Sequence, residues 1–281
     1  MEQMTKTRPN LGPRRAFSLV ELLVVISIIA VLIALITVSV SSFQESARLT
    51  QCMNNQHQLQ IGLVSWSQDN RGQFVSPNSE KNPYGLINPD RSKFWVKSYN
   101  PISGEINNGP RNESANDQGP ETPQALKDGA LWEYVGSEKL YRSPLDKSGR
   151  VRSYSLNGFI STQADNGPAE GWGPSVDRIS KIRNPSNTFY TIAEQDPGQD
   201  FNRGGWVADL NFGNGSGKWK DLPTYWSNDG RFALSFVDGS SKITQIVNPE
   251  LPDILTENET PVTDETRPDF AQIAEWLDPT R

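Results

Sequence analysis

His57 is the only histidine and Cys52 the only cysteine in this 281-residue chain. A serine or cysteine nucleophile would therefore have one histidine to draw on, and neither an intrachain disulfide nor a cysteine-based zinc site can form. His57 stands between two glutamines in a segment of helical period, which predicts a partly exposed helix residue and no triad or metal centre. Carboxylates alone can serve as acid and base of a glycosidase, and Glu194, Asp196 and Asp238 are the nearest candidates. Each flanks turn chemistry, where acidic residues ordinarily shape the turn, so no catalytic role is assigned to them. The segment from Asp196 to Asp200 and the one from Asn211 to Asn214 offer oxygen ligands of the kind calcium takes. Neither has a recognisable ligand spacing, so no cofactor or metal is expected, with calcium the one ion entertained.

One further group has chemical potential because of where it sits. Glu21 is the only charge between Phe17 and Phe43, and Leu22 to Val40 are nineteen uncharged, mostly aliphatic residues. At 1.5 Å per residue they match the ~30 Å hydrocarbon core of a bilayer, where an unpaired carboxylate costs roughly 2.5 kcal/mol or more. Glu21 needs a partner. Upstream, Lys6, Arg8, Arg14 and Arg15 outnumber Glu2, an excess that holds the N-terminus on the cytoplasmic side. A secretory signal has a shorter apolar region followed by a small-residue cleavage site. Here the small residue, Ala16, precedes the run, and a cut after it would leave the apolar helix on the mature chain with Phe17 first.

The string RRA followed by FSLVELL resembles the N-terminal signal of type IV prepilins and type II secretion pseudopilins. The resemblance implies cleavage between Ala16 and Phe17 by a prepilin peptidase, methylation of the new Phe17 amine, and an assembly role for Glu21, fifth in the mature chain. It implies as partners the peptidase, other pilin or pseudopilin subunits and the bacterial inner membrane. The protein would cross that membrane once, its N-terminus cytoplasmic and its C-terminal part periplasmic. Where the family usually has Gly before the cut, this chain has Ala16. On residue chemistry alone, Glu21 could instead be a solvated charge at a helix start.

These residues require a helix, and the sequence supplies one. No proline falls between Arg14 and Ser76, and only Gly62 and Gly72 interrupt. Residues 1–16 read as a leader, 17–43 as a membrane segment, and 44–70 as the amphipathic continuation of the same helix. In that continuation Leu49, Cys52, Met53, Leu59, Leu63, Val64 and Trp66 form a stripe, and Glu45, Arg48, Asn54, Asn55, Gln58 and Gln68 are placed on the polar side. Turn residues Asp69 to Gly72 end the helix near Gln68.

Residues 71–281 read as a loop-rich domain, with Gly and Pro distributed throughout. The stretch from Lys93 to Tyr99 is strand-like, and Pro101 to Pro123 is nearly devoid of aliphatics and reads as a long loop. Ala125 to Tyr134 suggests a short helix broken at Gly129. Strands are expected over Arg152 to Leu156, Thr188 to Ala193 and Trp206 to Leu210. Arg231 to Val237 and Ser240 to Val247, separated by Asp238-Gly239, predict a hairpin with a type I′ turn. Beyond Pro249, Thr266 and Asp269 have the spacing of a capping box before a helix with Phe270, Ile273, Ala274 and Leu277 on one face. The net charge of −6 and the lack of a basic stripe outside the leader argue against nucleic acid. The eight tryptophans read as core in a domain short of aliphatics, in preference to carbohydrate platforms.

Further landmarks, CMNNQHQLQIGL, SQDNRGQF, RSYSLNGF, NPSNTFYTIAEQD and LSFVDG, are similar to a prepilin-type family of planctomycetes and related bacteria, whose signature is His, nine residues, then Asp-Gly. In this chain Asp238 and Gly239 are present, Asn228 stands where the His would be, and Ser143-Pro144 where relatives have Cys-Pro. The resulting expectation is an α+β, pilin-like structural subunit: a long N-terminal helix packed on a small antiparallel sheet with loop insertions. The alternative is a membrane-anchored module that binds a glycan or a secreted protein. An anchored enzyme is disfavoured.

Overall fold

The structure is a computed structural model that describes residues 18–77, 94–96, 123–160, 173–195, 204–210, 217–255 and 260–281, without the side chains of 36–39 and 41. The chain divides into two compact units, Met1–Gln44 and Glu45–Arg281. Helix α1 (Leu19–Asp69) begins in the first and ends in the second. In the first unit its apolar side chains are exposed on all sides, from Leu19 and Val20 through Val31 and Leu35 to Phe43. A helix apolar all round belongs in a large core or in lipid. Among the described residues, however, no helix is long and apolar enough to cross a membrane. The contiguous run with described side chains, Leu19 to Leu35, covers about 25 Å, short of the ~30 Å required, and contains Glu21.

In the second unit α1 meets a sheet. Leu49, Cys52, Leu59, Leu63 and Trp66 are buried as their spacing predicts, with Met53 and Val64 half-buried. The helix stops because the next residues leave αR: Arg71 has φ 60° and Gly72 φ 76°. The Gly72 N–H reaches back to the Ser67 carbonyl at 2.8 Å, closing the last turn. Helices α2 (Pro123–Lys127) and α3 (Trp132–Val135) follow, separated at Gly129. A side chain at 129 would strike the Trp95 carbonyl, so the break is set by backbone approach as well as by propensity.

The main sheet is built from β1 (Tyr154–Asn157), β2 (Phe189–Gln195), β3 (Gly205–Trp206), β6 (Leu222–Pro223), β7 (Arg231–Phe236) and β8 (Ser241–Gln245). Its order is β3-β1-β2-β7-β8, with β6 added to β2. All pairs are antiparallel except β1 with β3. A second, three-stranded sheet joins β4 (Ala208–Asp209), β5 (Lys218–Trp219) and β9 (Thr260–Pro261). The single strand expected from Trp206 to Leu210 is thus two short ones in different sheets, parted at Val207, whose N–H is taken by the Asp221 carboxylate at 2.6 Å. Of Lys93 to Tyr99 only 94–96 are described, and they carry one bridge, Phe94 to Ser76.

The strands β1 and β2 and most of β7 are buried on both faces, whereas the edge strand β8 is mostly half-buried or exposed. On β7, Ala233 and Val237 join the core under α1, whereas Phe232, Leu234 and Phe236 join the opposite core. A bulge between Phe189 and Thr191 on β2 turns both Tyr190 and Thr191 toward α1 and keeps Phe189 and Ile192 on the other face. That other face is covered by α5 (Arg267–Leu277) through Phe270, Ile273, Ala274, Trp276 and Leu277, and by Trp219 of the second sheet. A four-residue helix, α4 (Leu251–Ile254), precedes α5 and buries Leu251.

Three local expectations are corrected. The hairpin exists, but its loop has three residues: the Gly239 N–H donates to the Phe236 carbonyl and the Phe236 N–H to the Ser240 carbonyl. Only Gly239 has positive φ (96°), as in a type I turn closed by a bulge, because Asp238 Oδ1 accepts from the Ser240 N–H and hydroxyl and draws the loop one residue longer. Thr266 and Asp269 form no capping box. Asp269 is buried and accepts from the Val247 and Asn248 N–H groups at 2.5 and 2.9 Å, and the Thr266 hydroxyl turns to Thr263. Asn55, placed on the polar face of α1, is buried with its amide donating to the Lys139 and Arg142 carbonyls.

Candidate functional site

The candidate site is the start of α1. Ser18 and Glu21 are reciprocally bonded: the Ser18 N–H donates to Glu21 Oε2 at 2.8 Å, and the Glu21 N–H donates to Ser18 Oγ at 3.1 Å. This is a capping box, satisfying two of the N–H groups a helix leaves open at its first turn. It explains why the helix begins at Leu19. The carboxylate is thereby held at the positive end of the helix dipole, surrounded by exposed Leu19, Val20, Leu22 and Leu23. In the sequence Ser18 is the first residue of an S-x-x-E pattern, the signal of such a cap. Ala16 and Phe17 lie outside the described residues.

The remaining candidate groups do not converge. His57 is exposed on α1. Glu194 lies buried on β2, where its carboxylate accepts from the Ser155 hydroxyl, and Asp238 shapes the hairpin turn. Asp196 and both calcium candidates, 196–200 and 211–214, are outside the described residues. Among the described residues no three acidic, histidine or cysteine side chains are grouped to hold a metal.

Glu194 belongs to a buried polar network that joins the chain before β1 to β2. Arg150 donates to the Glu194 carbonyl at 2.8 Å and pairs with Asp146 at 3.4 Å, and Arg152 stacks over Trp95 at 4.9 Å. Burial alone would raise the Asp146 carboxyl, but hydrogen bonds from Ser148 and Ser153, with Arg150 beside it, hold it below the ordinary carboxylate range. Cys52 is a buried thiol whose titration is pushed up by burial, against hydrogen bonds from Tyr154, Ser143 and Gln56. Ser143 lies beside Cys52. Asn228 donates through its N–H at 2.9 Å and through its side-chain amide to the Glu45 carboxylate on α1. Such groups hold a fold together; they are not arranged around a reacting atom.

A family model described as the prokaryotic N-terminal methylation motif matches residues 12–37. The match takes in Arg14 and Arg15 of the basic flank, Ala16, Phe17, the Ser18–Glu21 cap and most of the apolar run. No curated protein and no solved structure matches the chain. The protein thus carries a prepilin-like N-terminal signal of the kind processed by prepilin peptidases, on a chain whose second unit packs a helix against an antiparallel-rich sheet.

Proposed function

We propose that this chain is a structural pilin-like subunit. A prepilin peptidase cuts between Ala16 and Phe17 and methylates the new amine. The helix that follows anchors the protein in the inner membrane and later joins it to like subunits in a type II secretion pseudopilus or a type IV pilus-like filament. The observation that carries the reading is the register of the methylation-motif match with the Ser18–Glu21 cap and an apolar helix exposed on every side. Anchoring is supported by the uncharged sequence from Leu22 through Val40.

In assembly, Glu21 Oε1 accepts the methylated amine of a neighbouring subunit, while Oε2 remains on Ser18. Each charge then offsets the desolvation of the other in a low-dielectric bundle. The test is co-expression with a prepilin peptidase and intact-mass measurement. The expected product begins at N-methyl-Phe17; an uncut chain, or one beginning after residue 40, removes the reading. In the same cells Glu21→Gln is expected to be cut and methylated normally yet absent from sheared filaments, and its presence there at wild-type levels would sink the assembly role.

A further inference from the structure

Among the described residues the main sheet ends in an open edge. In the β7–β8 hairpin, Phe236 pairs by hydrogen bonds with Ser240, and Ile246 donates to the Gly230 carbonyl. Within the register Arg231↔Gln245 to Ser235↔Ser241, these bonds fix the phase of the ladder. Lys242 and Thr244 turn their backbone groups inward to β7, and Ser241, Ile243 and Gln245 turn theirs outward. β8 is the last strand in the sheet order, and among the described residues the outward N–H and C=O groups of these three have no partner.

The edge is bounded at one end. The next outward N–H, that of Val247, is taken by Asp269 at 2.5 Å, and α5 covers the face of β8 through Lys242 over Trp276 at 4.3 Å and Gln272 to Thr244 at 3.5 Å. That helix leaves the edge itself uncovered. Beside the bounded end lies a groove of about 580 Å³, lined on its apolar side by Tyr225, Trp226, Val247, Pro249 and Pro252. Val247 is 59 % exposed, one of the few large apolar side chains of the second unit left in solvent.

We infer that the outer edge of β8 and this groove form a docking site for an extended segment of a second protein, added as a further strand. Unpaired backbone groups at every second residue fit only another extended backbone, which supplies the affinity, and the groove takes an apolar side chain, which supplies selectivity. Lys242 is the only charged residue on the strand, so an acidic residue facing it fits and a basic one does not. A second copy of this chain fits less well: in an antiparallel pair about Ile243, Lys242 of one copy would face Thr244 of the other, which offers it no carboxylate.

The probe is a displayed library of random twelve-residue peptides, panned on the full-length, uncleaved chain in detergent, so that the result is independent of processing. Enriched peptides are expected to carry alternating β-branched residues with an acidic and an apolar position. Ile243→Pro removes one outward N–H without touching the bonds to β7, and is expected to weaken their binding roughly tenfold or more. Where that variant fails to fold, N-methylation of alternate amides in the synthetic peptide tests the same bonds on the unaltered protein, with the same expected loss. Val247→Asp is expected to weaken the peptides bearing the apolar residue. No enrichment over detergent-coated wells, or peptides indifferent to both Ile243→Pro and N-methylation, overturns the proposal. So does a dimer of the chain in sedimentation that Ile243→Pro abolishes, since the occupant is then a second copy.

Discussion

Two glutamines of α1, Gln56 and Gln60, donate to the Ala233 and Val237 carbonyls across the sheet. Gln56 is fully buried: its amide nitrogen donates to the Ala233 carbonyl at 2.8 Å, and its oxygen accepts from the Thr191 hydroxyl at 2.8 Å, which in turn shares a 2.7 Å hydrogen bond with Ser235. Gln56→Leu keeps the approximate volume and removes both bonds. Each contributes about 0.5–1.5 kcal/mol, and the added apolar side chain returns part of this, leaving a net loss of about 1–2 kcal/mol. For a unit of this size that is a fall of roughly 2–8 °C in thermal midpoint. Circular dichroism melts of the full chain in detergent measure it. Thr191→Val retains the Ala233 bond, so it is expected to cost less. The double variant should show a coupling of about 0.5 kcal/mol or more, because the two residues share a bond. A Gln56→Leu protein as stable as the parent, or additive losses in the double variant, would refute the claim that this seam fixes the helix on the sheet.

Two further outcomes are expected. Gly239→Val should cost on the order of 1 kcal/mol or more by forcing a β-branched residue to the φ of 96° found there, whereas Gly239→Asn should cost less. A Cβ at 239 would meet only the Gln60 amide, at ordinary contact distances of 3.7 and 3.8 Å, which makes this a backbone effect, and equal melts for the two variants would refute it. Because Asp146 titrates below an unfolded carboxylate, its contribution is present above the unfolded value of about 3.9 and is lost as pH falls through the lower folded value. Asp146→Asn should therefore flatten the acid limb of the stability curve below about pH 4, and an unchanged acid limb would argue against the network.

How much was legible in the sequence differs along the chain. The helix and its end were written in proline absence, apolar spacing and the Asp69 to Gly72 turn, all local signals. The α5 face was equally plain from Phe270, Ile273, Ala274 and Leu277. The candidate site was legible as a register of small residue, Phe17 and Glu21, because its parts lie within a few residues of one another.

Tertiary structure decided what depended on partners distant in sequence. Asn55 has the spacing of the polar side of α1, yet it is buried against the Lys139 and Arg142 carbonyls, and the Gln56 and Gln60 amides meet the Ala233 and Val237 carbonyls 177 residues away. Asp269 had the spacing of a cap and was claimed by the Val247 and Asn248 amides across the fold, since a buried carboxylate is stabilised more by two N–H donors than by one turn of its own helix. The Asp238-Gly239 pair announced a turn, but which turn it made depended on Ser240 and on the neighbouring Thr188 carbonyl that holds the Val237 N–H at 3.0 Å. Sequence by itself set where the helices run and where the N-terminal signal lies. Which polar groups are buried, and which sheet edge has no partner among the described residues, followed only from packing, because both are properties of pairs of segments and belong to neither one alone.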